Sequence, residues 1–172
     1  MYLIHFHQFF SGLLLVNNYI EKDGIVKMKI VIQRVKEASV TIEGQITGRI
    51  EKGLLLLIGI GKGDTTQMAD AMAQKIIKLR IFADDQGKTN LSVTDIKGEI
   101  LAVSQFTLYA DCKKGNRPNF LQAALPDEAN QLYNYFLGAL KKYEIKVESG
   151  EFGADMEVSL LNDGPFTVIL EE

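Results

Sequence analysis

The sequence predicts a single α+β domain, rich in strands that curl into a barrel-like core and carrying two main helices. Three observations lead there. Alternating runs rich in Val, Ile and Thr recur along the chain, as half-buried strands require. The run Leu54–Ile60 is apolar without interruption, the pattern of a strand covered on both faces. Two well-separated segments, after Asp64 and after Asp127, repeat their apolar residues at helical spacing. At 172 residues, 47% apolar and 24% charged, such a domain can bury a core without a disulfide or metal frame.

Residues 1–27 stand apart as an extension of unknown role, or as the product of a start upstream of Met28. Their apolar stretch Phe9–Val16 is too short to span a bilayer. No Lys or Arg precedes Lys22, so a secretory signal is not indicated. The domain proper is expected over 28–172. Lys29–Val35 and Ala38–Glu43 read as strands, with Gly44-Gln45 turning into a third strand, Ile46–Ile50. After Leu54–Ile60, Asp64-Thr65-Thr66 offers N-cap chemistry for a helix to about Leu79, with Met68, Met72, Ile76 and Leu79 inward. Asp84-Asp85-Gln86-Gly87 is a turn before a short segment at Leu91–Val93. Glu99–Phe106 reads as a central strand and Asp111–Pro118 as a polar loop. A second helix from about Asp127 to Tyr143 turns Leu132, Phe136, Leu137 and Leu140 inward. Strands at Asp155–Leu161 and Phe166–Leu170 flank a turn at Asn162-Asp163-Gly164-Pro165.

Composition narrows the chemistry. The lone cysteine, Cys112, excludes a disulfide framework and makes a reducing, cytoplasmic setting the expectation. Both histidines, His5 and His7, precede Met28. The domain therefore has no Ser-His-Asp triad, no Cys-His pair and no histidine metal site, and neither metal nor cofactor is expected. Carboxylates, hydroxyls, backbone groups or the substrate itself must do the work. A net charge of −3 argues against broad nucleic-acid binding, DNA included. Two local clusters, Lys113, Lys114 and Arg117, or Lys141, Lys142 and Lys146, could touch one end of an RNA or simply be solvated faces.

Gly59, Gly61 and Gly63 follow a buried strand, but their spacing fits neither a dinucleotide fingerprint nor a P-loop; a strand-to-helix turn explains them. Ser104-Gln105-Phe106-Thr107 ends a strand at a loop, where catalytic groups often sit. Alone it reads as a polar strand end, and Asn162-Asp163-Gly164-Pro165 alone as a plain turn.

Together, Ser104-Gln105-Phe106-Thr107-Leu108 and Asn162-Asp163-Gly164-Pro165-Phe166-Thr167 resemble the two signature motifs of D-aminoacyl-tRNA deacylases. Ile32-Gln33-Arg34-Val35, Ala38-Ser39-Val40-Thr41, the Gly115–Pro118 loop and Ala154-Asp155-Met156 extend the resemblance across 28–172. It implies hydrolysis of the ester joining a D-amino acid to tRNA, with glycyl-tRNA mischarged on tRNA(Ala) as a second substrate. It implies a homodimer that takes the acceptor 3′ end, with no membrane partner. Ser104, Gln105, Phe106 and Thr107 would form the catalytic pocket. Gly164 and Pro165, joined by a cis peptide in relatives, would enter the partner subunit's pocket and reject L-amino acids. Arg34 would orient that motif, with Asn162 and Thr167 as further substrate-binding positions. Catalysis would use the tRNA 2′-hydroxyl, with N–H groups near Phe106 and Thr107 steadying the oxyanion. A rival mechanism makes Thr107 a nucleophile, which needs a base the sequence does not supply nearby. Phe166 replaces the family's usual valine, and residues 1–27 have no family counterpart. Two alternatives remain: an editing domain of an aminoacyl-tRNA synthetase, and a noncatalytic nucleic-acid-binding module.

Overall fold

The computed structural model describes residues 28–172, so expectations about the N-terminal extension and its apolar stretch lie outside the described residues. Eight strands follow in order: β1 (Lys29–Ile42), β2 (Gln45–Ile50), β3 (Gly53–Gly59), β4 (Phe82–Ala83), β5 (Thr89–Leu91), β6 (Glu99–Ser104), β7 (Val147–Ser149) and β8 (Glu157–Glu171). Helix α1 (Thr66–Ile77) lies between β3 and β4, and α2 (Pro126–Lys141) between β6 and β7. A 3-10 turn, Phe106–Tyr109, follows β6.

The main sheet runs β2-β1-β3-β6-β7, with β8 on the free edge of β1. Strand β1 is antiparallel to β2, β3 and β8; β6 is parallel to β3 and β7. The sequence suggests two strands where β1 is one. Its first half pairs with β3 and its second half with β2, so the strand changes neighbour around the exposed Lys36 and Glu37. That exchange curls the sheet. Gly48 of β2 comes so close to β7 that a Cβ there would sit 3.0 Å from the Ser149 carbonyl oxygen. Inside the curl lie Val35, Ala38, Val40, Ile50, Leu55, Leu101 and Val103. The expected α+β, barrel-like core is what forms.

The outer face carries the larger core. Ile30, Ile32, Leu54, Leu56 and Ile58 meet Met72 and Ile76 of α1 and Leu132, Phe136 and Leu140 of α2. The continuous apolar run of β3 is needed because both faces of that strand are covered. Thr65, not Asp64, caps α1 by accepting from the Met68 N–H at 3.3 Å. Pro126 opens α2, with Asp127 and Glu128 in its positive first turn. The β1–β2 hairpin turns at Glu43 and Gly44, both at positive φ, one residue earlier than the composition suggests.

A second correction concerns Asn162–Pro165. It is not a turn between two strands but part of one continuous strand, β8, which pairs with β1 on both sides of it. Val35 pairs with Asn162 and Gln33 with Thr167, so the whole stretch from Asp163 to Phe166 faces the single residue Arg34. This is a wide bulge that lifts the motif out of the ladder while the strand continues. β6 ends at Ser104, before the expected Phe106. β4 and β7, too short to leave a pattern, were not foreseen. Among the described residues no helix is long and apolar enough to cross a membrane.

Candidate active site

Parallel strands β3 and β6 end side by side, Ile58 opposite Ser104. The Gln105 N–H donates to the Ile58 carbonyl at 2.7 Å, and the chain then winds into the 3-10 turn. Leu108 and Tyr109 of that turn lie against Gly59, where a Cβ would meet them at 3.1 Å; glycine permits the close approach. Beyond the carboxyl ends of these strands opens a cavity of about 740 Å³.

Ser104, Gln105 and Phe106 line one side of it, over a floor that includes Ile58, Ile60 and Val103. The opposite wall comes from the segment before α2 and from the approach to β8, including Phe120, Leu121, Leu125, Phe152 and Met156. Backbone bonds zip that segment to the end of β3: Lys62 N–H to Gln122 O and Ala124 N–H to Ile60 O, both at 3.0 Å. Phe106 meets Phe120 edge-on, ring centres 5.0 Å apart. Phe106 is 58% exposed and Leu121 72%, so the rim offers open aromatic and aliphatic surface. Among the described residues, the only titratable side chains on the lining are those of Lys62 and Asp155.

Thr107 departs from the expected pocket set. It is exposed on the 3-10 turn and outside the cavity lining, and its hydroxyl accepts a hydrogen bond from Gln105 Nε2. The N–H groups of Phe106 and Thr107, first in the turn, donate to no backbone carbonyl among the described residues.

The second motif lies elsewhere on the molecule. Arg34 Nε donates to the Asp163 carbonyl at 2.9 Å and stands 3.2 Å from its carboxylate. Another guanidinium nitrogen donates to the Ile81 carbonyl. The guanidinium also lies over the Phe166 ring, 4.7 Å from its centre, and more distantly over Phe82. Arg34 thus holds residues on both sides of Gly164-Pro165. A Cβ on Gly164 would collide with the Phe166 backbone nitrogen and sit 2.7 Å from Asn162 Nδ2. Thr167 bonds to Gln33 through their side-chain oxygens, and Asn162 is exposed. Among the described residues, none of Arg34, Asn162, Gly164 and Thr167 lines the cavity.

Below the cavity, Asp64 accepts from the Gly61 N–H at 2.7 Å, while its other oxygen is buried without a hydrogen-bond partner. Burial pushes its carboxyl up to about 6. Burial, with Asp64 nearby, also holds the Tyr109 proton far more tightly than usual. The sequence presented Asp64 only as a helix cap. The far cavity wall was legible only as unexplained apolar residues, Phe120, Leu121 and Leu125, in a segment with no helix or strand period. Among the described residues no cluster of His, Cys, Asp or Glu has the makings of a metal site.

The family model for D-Tyr-tRNA(Tyr) deacylase matches residues 31–171. The D-aminoacyl-tRNA deacylase of Thermosipho africanus is 57% identical over 144 residues, covering 84% of this chain and 97% of that relative. The protein of the same name from Geotalea daltonii is 59% identical, covering 84% and 96%. A solved structure named c-Myc DNA Unwinding Element Binding Protein superposes with a TM-score of 0.79 at 44% identity, covering 84% and 98%. A probable eukaryotic D-amino acid tRNA deacylase superposes at 0.76, covering 86% and 100%; at 16% identity it speaks to the fold alone.

Proposed function

This chain belongs to the D-Tyr-tRNA(Tyr) deacylase family, and from that premise we propose how its residues hydrolyse D-aminoacyl-tRNA. The enzyme is a carboxylic ester hydrolase that releases a free D-amino acid and tRNA. The observation that carries the finer reading is the separation of the two motifs. Ser104, Gln105 and Phe106 border a cavity whose described lining includes none of Asp163, Gly164 and Phe166, while Arg34 braces those residues outside it. A homodimer reconciles them: each subunit's bulge enters the other's cavity. Twofold pairing is the commonest oligomer symmetry, and β8 offers an edge carrying exposed Leu160, Leu161 and Ile169.

In that arrangement the terminal adenosine enters the apolar cavity and the ester lies beside Phe106. The free N–H groups of Phe106 and Thr107 stabilise the developing oxyanion, a contribution worth several kcal/mol. The 2′-hydroxyl of the adenosine assists the attacking water, which suits a lining without histidine among the described residues. Thr107 positions rather than attacks, because its hydroxyl meets an amide and no base. The partner's Gly164-Pro165 backbone occupies the space an L-side chain requires. A 10⁴-fold preference amounts to about 5.5 kcal/mol, which rigid backbone atoms can impose by collision. Glycine has no side chain to reject, so glycyl-tRNA mischarged on tRNA(Ala) is also cleaved. The reaction belongs to proofreading in the cytoplasm and uses no cofactor.

A second reading, a noncatalytic DNA-binding module, draws on the name of one structural neighbour. The net charge of −3 and the many relatives named as deacylases weigh against it. Incubation with D-tyrosyl-tRNA and L-tyrosyl-tRNA separately, with light scattering on the same sample, decides. Rapid hydrolysis of the D-ester alone by a dimer is the expected result. Inactivity on both esters would remove the deacylase reading, and full activity in a monomer would remove the shared site.

A further inference from the structure

The two basic clusters of the sequence meet different fates. Lys142 pairs with Asp70, and Lys146 with Glu99 and Glu148, so the cluster around α2 is largely neutralised. Lys113, Lys114 and Arg117 form no salt bridge among the described residues and are exposed, although the Asp111 carboxylate lies within electrostatic reach of Lys113. Their loop is nevertheless a built feature. Asp111 and Asn119 close its stem with reciprocal backbone bonds of 2.8 and 3.1 Å. Asp111 Oδ1 accepts from the Lys113 N–H at 2.9 Å, and Gly115 turns the tip at positive φ.

The stem stands at the cavity mouth. Asn119 directly precedes Phe120, which lines the cavity and meets Phe106. Lys62, also without a salt-bridge partner among the described residues, lines the same cavity, and its backbone is tied to Gln122, three residues beyond the stem. The seven residues between the stem pair put the tip at Gly115 four Cα steps from either side, an upper limit of roughly 13 Å past the stem at about 3.3 Å per extended residue. A polyanion whose end enters the cavity must leave past this loop.

We propose that Lys113, Lys114 and Arg117 form a phosphate-gripping finger that binds the acceptor-arm backbone of tRNA just outside the cavity, with Lys62 as a further cation on the cavity lining. The proposal rests on the deacylase reading and assigns a division of labour within it. The cavity handles the terminal nucleoside and ester, while the finger supplies salt-sensitive affinity for the rest of the RNA. A chain that is acidic overall thus recruits a nucleic acid through one local patch.

The test compares two substrates, intact D-tyrosyl-tRNA and the 3′-D-tyrosyl ester of adenosine, which has no phosphate to grip. The variant is Lys113→Ala/Lys114→Ala/Arg117→Ala, with Lys113→Arg/Lys114→Arg/Arg117→Lys as the charge-retaining control; thermal melting checks folding. For the alanine variant, KM for the tRNA should rise about tenfold or more at 0.1 M salt, with kcat little changed. The slope of log(kcat/KM) against log[salt] should flatten by about 2, since each lost phosphate contact removes roughly 0.7–0.9. Hydrolysis of the adenosine ester should match the unmodified enzyme, and the control should behave normally on both substrates. Normal kinetics and salt slope on the tRNA would overturn the proposal. So would equal losses on both substrates, which would make the loop a wall of the cavity. If the unmodified enzyme cleaves neither ester, the deacylase reading fails, and the finger falls with it.

Discussion

The cavity wall and the β8 bulge are held in opposite ways. The wall is apolar, partly exposed and fastened by backbone bonds between two loops; its side chains Phe106, Leu121 and Leu125 point into open space. The bulge is short and polar, and one guanidinium from the strand beneath grips both of its shoulders, Asp163 and Phe166. One region is an open apolar receptacle, and the other is a segment tied at both shoulders to one side chain. The proposed chirality filter would draw on both kinds of construction.

The largest effect that would break this contrast should come from Gly164→Ala. The added methyl collides with the chain's own Phe166 nitrogen, so the bulge must change shape wherever the substrate lies. D-tyrosyl-tRNA hydrolysis should fall by about a hundredfold or more, equivalent to roughly 3 kcal/mol or more in the barrier. The oligomeric state seen in light scattering should be unchanged; near-normal rates would show that the bulge shape is immaterial.

Arg34→Ala should follow, with about a tenfold loss of kcat/KM and roughly 1–3 kcal/mol of stability, because its side chain is only 16% exposed and leaves the Ile81 and Asp163 carbonyls unpaired. Arg34→Lys should rescue little, since an ammonium cannot serve two carbonyls and a ring face together. Kinetics and denaturant melts of both variants check this. Thr107→Ala should cost less than about tenfold, and mass spectrometry of quenched reactions should find no acyl-Thr107 species.

The smallest effect sharpens the receptacle side. Asp64 is raised from 3.8 to about 6 by burial, so the folded protein holds this proton more tightly than the unfolded chain. Its contribution to stability is complete below pH about 4, declines as pH rises through about 6, and is level above. Asp64→Asn should therefore gain on the unmodified protein as melting is followed from pH 4 to 7. A constant difference in Tm would show that this carboxylate does not titrate in that window.

How much of this was readable beforehand depends on whether the signal is local. Leu54–Ile60, Met72 and Ile76, and Leu132, Phe136 and Leu140 were placed correctly because period and burial are written into neighbouring positions. Asn162-Asp163-Gly164-Pro165 was misread as a turn because its residues suit turns. Only the pairing of β8 with β1 on both sides shows that the strand continues. Ser104, Gln105 and Phe106 were found as a strand end, yet the wall opposite them comes from 120–125 and 152–158, segments joined to it by tertiary contact alone. Thr107 lies in the same motif as its neighbours but on the outer side of the turn, a distinction that φ and ψ make and spelling does not.

The pairing of β1 with β8 also sets an order of assembly. Lys29 bonds with Glu171, so the first described strand waits for the last before its free edge is covered. Contacts this distant in sequence form slowly and late. During synthesis, β1, β3, β6 and the helices can gather as each emerges, while the bulge takes shape only when β8 zips along Arg34. On the proposed reading, a nascent chain would hold an unguarded cavity before it held a filter, and both the filter and the edge proposed to meet a second subunit would arrive in the same final step.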